Sequence, residues 1–141
     1  DLGLRGKRVL VTGGSRGIGF AIARAFHHEA ADVFICSRSA KHLVAAAKKI
    51  GEIAAIPCDV RKPAEVARLL KRIGRLDVLV NNAGYHLSKN IELTTEPEWD
   101  FIITTNLKST FLCSKYAIPH LRKSKGAIIN ISSMQMMSVI Y

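Results

Sequence analysis

The chain has 141 residues, a formal net charge of +10, and 48% apolar but only 6% aromatic residues. This length favours a single domain with a sizeable hydrophobic core. No apolar run is long enough to cross a membrane, and the first residues lack the basic start and long apolar stretch of a signal peptide.

Cysteine spacing and charge distribution narrow the class of protein further. Cys36, Cys58 and Cys113 are an odd number with no close pair, which predicts reduced thiols in a cytoplasmic protein rather than a disulfide framework or a zinc site. The net charge permits binding to nucleic acid, to an acidic membrane surface or to a phosphorylated small molecule. Lys and Arg are scattered over segments such as 61–75 and 122–125 without interleaved aromatic residues, so we favour solvated helix faces.

Residues 7–19 predict a strand over 7–12, a glycine-rich turn and the start of a helix that runs to about residue 30. Backbone amides in such a turn, together with the positive potential of a helix N-terminus, are suited to bind an anion. Glycines allow backbone, ligand and helix to approach closely. The alternative is a tight turn in some other α/β protein. The residues expected to hold a dinucleotide pyrophosphate are Gly13, Ser15, Arg16, Gly17, Ile18 and Gly19.

The end of the second predicted strand, over residues 32–37, bears on the choice of cofactor. In dinucleotide folds an acidic residue there holds the adenosine ribose hydroxyls, whereas a nearby Arg accommodates a 2′-phosphate. This chain has Ser37 and then Arg38, so a guanidinium is placed to bind a phosphate and no carboxylate repels it. Arg16 is a second candidate cation. We therefore expect NADP(H) to be preferred over NAD(H), the alternative being that Arg38 is an exposed loop charge.

The rest of the chain continues the alternation of helices and strands. This alternation predicts an α/β three-layer sandwich, with a doubly wound, Rossmann-like parallel sheet in the strand order 3-2-1-4-5 and helices on both faces. The further predicted elements are helices over 40–50, 63–73 and 97–123 and strands over 53–57, 76–80 and 126–131.

Five stretches together resemble the short-chain dehydrogenase/reductase family. The turn has the spacing Thr-Gly-x-x-x-Gly-x-Gly over residues 12–19, and Cys-Asp-Val follows the third strand at 58–60. Asn-Asn-Ala-Gly follows the fourth strand at 81–84. The long helical region contains Asn-Leu-Lys-Ser-Thr-Phe at 106–111, and the fifth strand leads into Ser-Ser at 132–133. The resemblance covers nearly the whole chain.

The resemblance implies further cofactor-binding residues. Asp59 and Val60 are implied to line the adenine, although Asp59 could equally cap the helix that begins near residue 63. Asn82 is suited to tie neighbouring strands together through its amide. The small residues Ala83 and Gly84 leave room beside the cofactor ribose.

Three residues are implied to carry catalysis. Ser133 polarises the substrate carbonyl by donating a hydrogen bond to its oxygen. Asn106 interrupts the long helix and holds a water in a proton relay, the alternative being a buried Asn satisfied by backbone groups. Tyr141 is the candidate acid/base of the motif Tyr-x-x-x-Lys, but it lies closer to Ser133 than the pattern requires and no Lys follows it. Tyr141 is therefore either the motif tyrosine, with part of the preceding loop missing, or an unrelated residue.

The function expected from these residues is hydride transfer between NADP(H) and a carbonyl or secondary alcohol substrate, by a cytoplasmic homo-oligomer without a metal. One alternative is a catalytically inactive dinucleotide-binding or interaction module. Another is a basic nucleic-acid-binding domain, which leaves residues 81–84 and 132–133 unexplained.

The chain is also shorter than the family pattern. The helix over 63–73 is about one turn short, and the last two strands and their helices are lacking. We therefore expect that residues 1–141 are an incomplete dinucleotide-binding domain of a larger enzyme. The sequence leaves open whether segments are missing near residue 73, between Ser133 and Tyr141, and after Tyr141. Without the last two strands the fifth strand is expected to be a sheet edge. The alternative to an incomplete domain is a true short form that binds cofactor without turnover.

Overall fold

A parallel sheet and the helices that connect its strands position the site in this computed structural model, which describes residues 2–133. The strands are β1 (Arg8–Thr12), β2 (Asp32–Ser37), β3 (Ala54–Pro57), β4 (Val78–Asn81) and β5 (Ala127–Asn130). The helices are α1 (Gly17–His28), α2 (Ala40–Ile50), α3 (Pro63–Ile73), α4 (Glu96–Ile103) and α5 (Ser109–Ser124).

The strand order is β3-β2-β1-β4-β5, and every neighbouring pair is parallel. The predicted order is therefore confirmed. The chain adds β2 and β3 on one side of β1 and then crosses over to add β4 and β5 on the other. In such sheets ligands bind outside the carboxyl ends of the strands, at the point where the chain changes the side on which it adds strands. Here this point lies between β1 and β4.

Two apolar clusters cover the two faces of the sheet. Leu10 and Leu79 point to one face and pack against side chains of α3 and α5, such as Val66. Val11 and Ile35 point to the other face and pack against α1 and α2. Burying each such side chain contributes about 1.5–3 kcal/mol to stability. The structure is therefore the expected three-layer sandwich.

Several element boundaries differ from the predicted ones. Helix α1 ends at His28 rather than near residue 30, because Ala30 takes a positive φ of 58° that turns the chain into β2. The long helical region predicted over 97–123 is divided into α4 and α5 by a π-helical turn, Thr104–Lys108. Within residues 2–133, no helix combines the length and hydropathy that a membrane span requires.

A buried aspartate at the amino ends of the strands joins β1, β4 and β5 through its side chain and its backbone. Asp77 accepts a hydrogen bond from the backbone N–H of Arg8 at 2.9 Å and one from Nη2 of Arg75 at 3.0 Å. Its carbonyl accepts from the N–H of Ala127 at 2.9 Å. Burial by itself would raise the pKa of Asp77. The hydrogen bonds that its carboxylate accepts from Arg8 and Arg75, together with the positive charges of Arg75 and Lys7, outweigh burial and lower the pKa. Asp77 is therefore held in its charged form.

Replacement of Asp77 by Asn should lower the free energy of unfolding by about 2 kcal/mol at pH 7, because charge-assisted hydrogen bonds become neutral ones. Since the pKa of Asp77 is lower in the folded state, its contribution is complete above the unfolded pKa of about 3.9 and is lost as the pH falls through the folded value. Urea unfolding between pH 7 and pH 3 should therefore show the two proteins converging below about pH 4.

Asp32→Asn is the matched control, because Asp32 is half exposed and its ion pair with Nε of Arg8 at 3.0 Å is a surface pair. This change should cost under about 1 kcal/mol. Equal unfolding free energies for wild type and Asp77→Asn at pH 7 would contradict the assigned role of Asp77.

Candidate functional site

A cleft of about 500 Å³ opens at the carboxyl ends of β1 to β4. Its volume is within the range of small-molecule and cofactor sites. All of the residues predicted to bind the cofactor line it, together with four that were not predicted: Cys36, Cys58, Arg61 and Thr105. The predicted lining residues are Gly13, Ser15, Arg16, Gly17, Ile18, Gly19, Ser37, Arg38, Asp59, Val60, Asn82, Ala83 and Gly84.

The turn between β1 and α1 forms the centre of the cleft. Gly13 and Gly17 have positive φ values of 66° and 55°, which glycine adopts without strain. Gly19 is required for a different reason: a Cβ there would lie 2.5 Å from the carbonyl oxygen of Gly13 and would collide with the amide of Asn82. Helix α1 therefore packs against the turn at a distance that only glycine permits.

The N-terminus of α1 is left open toward this turn. Its N-cap residue, Arg16, makes no side-chain capping hydrogen bond, and the first turn of the helix contains no acidic residue. The backbone N–H groups of a first helical turn lack partners within the helix and carry a partial positive charge. The local structure therefore favours an anionic ligand.

Side-chain hydrogen bonds connect β1 to the segment that follows β4. The Thr12 hydroxyl accepts from the N–H groups of Asn82 and Ala83, both at 3.0 Å, and donates to the carbonyl of Val80 at 3.3 Å. The Asn82 amide donates to the carbonyl of Thr12 at 3.0 Å. The Asn82 side chain therefore ties the two strands together, as its residue type suggested.

Asn81 makes the corresponding connection on the other side of β4. Its amide donates to Oδ1 of Asn130 at 2.9 Å and to the Ser114 hydroxyl at 3.0 Å, which joins β4 to β5 and α5. The motif at 81–84 thus holds three strands in register at the edge of the cleft.

The segment after β3 contains an ion pair that the sequence analysis missed. Arg61 donates to Asp59 through Nε at 2.9 Å and through Nη2 at 2.7 Å, and its guanidinium lies 5.1 Å from the ring centroid of Phe101 in α4. The bonds from Arg61 lower the pKa of Asp59. The alternative of Asp59 as a helix cap is wrong, because the N-cap of α3 is Lys62. The spacing Asp-x-Arg was the available signal for the pair.

The π-helical turn brings Asn106 against the loop after β4. Asn106 Oδ1 accepts from the N–H of Tyr85 at 2.7 Å, and its Nδ2 donates to the carbonyl of Tyr85 at 2.9 Å. Asn106 thus interrupts the long helix, although it does not itself line the cleft. The side-chain amide of Asn106 is thus bonded to both backbone groups of Tyr85, and its backbone carbonyl accepts from the Thr110 hydroxyl at 3.0 Å.

The remaining candidate residues lie beyond β5. The N–H of Ile131 donates to the carbonyl of Asn81 at 2.9 Å, which extends the pairing of β5 with β4 toward the cleft edge. Ser133 follows, exposed, and does not line the cleft. Tyr141 lies outside the described residues.

Two buried hydroxyl oxygens test whether the cleft fits a dinucleotide. Ser37 and Thr105 line it, and their hydroxyl oxygens are buried without a hydrogen-bond partner within residues 2–133. Leaving such a group unsatisfied costs about 1–3 kcal/mol, which a ligand rich in hydroxyl and phosphate oxygens recovers. Together with the open N-terminus of α1 and the cations Arg16 and Arg38, these atoms fit a phosphorylated dinucleotide.

Among the described residues, no group of His, Cys, Asp and Glu is arranged to hold a metal ion.

Comparison with known proteins gives consistent matches. A family model described as short chain dehydrogenase matches residues 7–140. L-fucose dehydrogenase of Bos taurus is 42% identical over 134 residues, which are 92% of this chain and 50% of that protein. Meso-2,3-butanediol dehydrogenase of Serratia marcescens is 36% identical over 91% of this chain and 53% of that protein.

A solved structure also matches. The RhlG/NADP active-site complex of Pseudomonas aeruginosa has a TM-score of 0.90 and 37% sequence identity, and the match covers 98% of this chain and 59% of that one. The chain therefore spans about half the length of the curated relatives it matches.

Replacement of Thr12 by Val keeps the shape of the side chain but removes the hydroxyl that two backbone N–H groups share. We expect the free energy of unfolding to fall by about 2–4 kcal/mol, because the N–H groups of Asn82 and Ala83 lose their acceptor. Urea unfolding measures this change. Thr12→Ser keeps the hydroxyl and should cost about 1 kcal/mol for the lost methyl group. If Thr12→Val were as stable as wild type, the hydroxyl would not be what joins the two strands.

Proposed function

The chain belongs to the short-chain dehydrogenase family, and we propose that the whole protein is an oxidoreductase that transfers a hydride between NADP(H) and a carbonyl or secondary alcohol substrate. The observation that carries this proposal is the turn between β1 and α1. There, an uncapped helix N-terminus and two positive-φ glycines form the centre of a cleft that fits a dinucleotide.

Two cations support NADP(H) as the cofactor in preference to NAD(H). Arg16, Ser37 and Arg38 all line the cleft, and the two guanidinium groups would bind an additional 2′-phosphate. Asp59 is the carboxylate among the described lining residues, and its ion pair with Arg61 at 2.7 Å reduces its repulsion of a phosphate. The similar Pseudomonas aeruginosa structure is described as an NADP complex, which agrees with this choice.

The bound cofactor would supply or accept the hydride at its nicotinamide ring. Ser133, which follows β5 at the carboxyl edge of the sheet, would donate a hydrogen bond to the substrate carbonyl oxygen and polarise it. Tyr141 would exchange a proton with that oxygen, as the family resemblance implies. Asn106, whose side chain is fixed by its bonds to Tyr85, would hold a water of the proton relay.

We also propose that the protein is a cytoplasmic homo-oligomer. Trp99, Leu107 and Phe111 are large apolar side chains on α4, the π-helical turn and α5, and each is more than half exposed. An exposed apolar surface of this kind is typical of a subunit interface. The buried thiols Cys36 and Cys113 suit a reducing compartment.

Turnover distinguishes this proposal from an inactive dinucleotide-binding module. Oxidation of NADPH in the presence of a panel of ketones and aldehydes, followed at 340 nm with the full-length protein, should give a substrate-dependent rate. Binding of NADPH without turnover of any carbonyl compound would favour the inactive module.

Replacement of Arg38 by Asp should weaken NADPH binding by roughly 10- to 100-fold and leave NADH binding nearly unchanged, because a charge-assisted contact contributes about 1.5–3 kcal/mol. Fluorescence titration with each cofactor gives the two dissociation constants. Arg72→Asp makes the same change of charge at an exposed position on α3 that does not line the cleft, and should alter neither constant appreciably. An unchanged ratio of the two constants in Arg38→Asp would remove Arg38 from cofactor selection.

A further inference from the structure

Phe101, on α4, contacts two separate segments that border the cleft. The guanidinium of Arg61, in the segment after β3, lies 5.1 Å from the centroid of the Phe101 ring. The ring of Tyr85, in the segment after β4, lies 5.2 Å from it, centroid to centroid, at an interplanar angle of 85°. The ring of Phe101 is therefore a point at which the segments after two different strands are joined.

Burial of apolar surface does not account for this ring. Within residues 2–133, Phe101 is partly buried and belongs to neither of the apolar clusters that cover the sheet. Helix α4 itself contains no buried residue in this part of the chain. The contacts with Arg61 and Tyr85 thus distinguish Phe101 from an ordinary core side chain.

Both contacts have attractive geometries. A guanidinium within about 6 Å of a ring centroid is attracted by the negative charge of the ring face. Aromatic rings whose centroids are about 4.5–7 Å apart prefer an edge-to-face arrangement, which is the one seen between Phe101 and Tyr85. The side chain of Arg61 is 26% exposed, so water screens its attraction to the ring only in part.

Each contact leads on to a residue of the cleft. Arg61 donates through Nη2 to Asp59 at 2.7 Å, and both residues line the cleft. Tyr85 directly follows Gly84, which also lines the cleft. Phe101 itself is not among the described lining residues, so it can act on a bound cofactor only through these neighbours.

We propose that Phe101 is a positioning residue for the cofactor: its ring fixes the segments after β3 and β4 relative to each other, and thereby holds Asp59 and Gly84 in place at the cleft. This inference rests on the proposed function, because its effect is exerted on NADP(H) binding. The family motifs described above include none of the three connected residues. Arg61, Phe101 and Tyr85 thus form one support for the two segments.

The test is a double-mutant cycle of Phe101→Leu and Arg61→Met, read as the dissociation constant for NADPH in fluorescence titrations. Phe101→Leu alone should raise this constant about fivefold, because the Arg61 guanidinium and the Tyr85 ring both lose their partner. In the Arg61→Met protein the same change should raise it by less than about twofold, because only the contact with Tyr85 is then lost. Residues that act through each other give such non-additive effects, whereas a general loss of stability does not.

Two control variants complete the experiment. Phe101→Tyr keeps the ring and should retain the wild-type dissociation constant within about twofold. Lys89→Met breaks the ion pair of Lys89 with Glu98 at 2.8 Å, which also links the loop after β4 to α4 but involves neither Arg61 nor Tyr85. It too should leave NADPH binding within about twofold of wild type, because an exposed ion pair contributes little.

Four outcomes would overturn the inference. A Phe101→Leu protein with wild-type affinity for NADPH shows that the ring positions nothing at the cleft. A Phe101→Leu protein that fails to fold, or an equal fold-change with and without Arg61, shows that the ring supports the fold in general. A rise in Lys89→Met as large as that in Phe101→Leu shows that any attachment of α4 has the same effect. A wild-type protein that binds no NADPH overturns the proposed function as well, and the wild type alone reveals this.

Discussion

The shared hydrogen bonds of Thr12 are the constraint on which the site depends. β1 and β4 are paired along Val9–Val11 and Val78–Val80, but beyond these residues the two chains diverge and no regular ladder continues. The Thr12 hydroxyl replaces the ladder by accepting from two N–H groups of the segment after β4. This arrangement places Asn82 so close to Gly13 and Gly19 that neither position has room for an unstrained side chain. The open N-terminus of α1 is consequently held beside the reversal point of the sheet.

Polar groups are distributed unequally between the two ends of the sheet. At the amino ends, Asp77 is surrounded by donors and charges that keep it ionised, and it stabilises the junction of three strands. At the carboxyl ends, Ser37 and Thr105 retain hydroxyl groups without a partner within residues 2–133, and the first turn of α1 lacks a side-chain cap. The polar groups at the amino ends of the strands thus stabilise the fold, whereas those at the carboxyl ends are available to a ligand, which is where α/β sheets generally bind ligands.

The side of the molecule formed by β5 and the two helices around the π-helical turn is apolar and exposed. β5 lies at the edge of the sheet among the described residues, and Ile129 and Ile131 are 41% and 39% exposed. This agrees with the expectation of an edge at the fifth strand. Trp99 and Phe111 continue the apolar surface on the helices. A sheet edge and an apolar helix face favour association.

The sequence by itself determined the fold class, the strand order and most of the residues that line the cleft, because alternating strands and helices, closely spaced glycines and short motifs are local patterns. Tertiary structure decided the partners of those residues. The contact of the Arg61 guanidinium with the Phe101 ring and the bonds of Asn106 to Tyr85 join segments that meet only when the sheet is assembled. The π-helical turn Thr104–Lys108 likewise adds a residue that shifts every later side chain around the helix. No periodicity in the sequence reveals such a shift, because it is fixed by contacts with β4 and its loop.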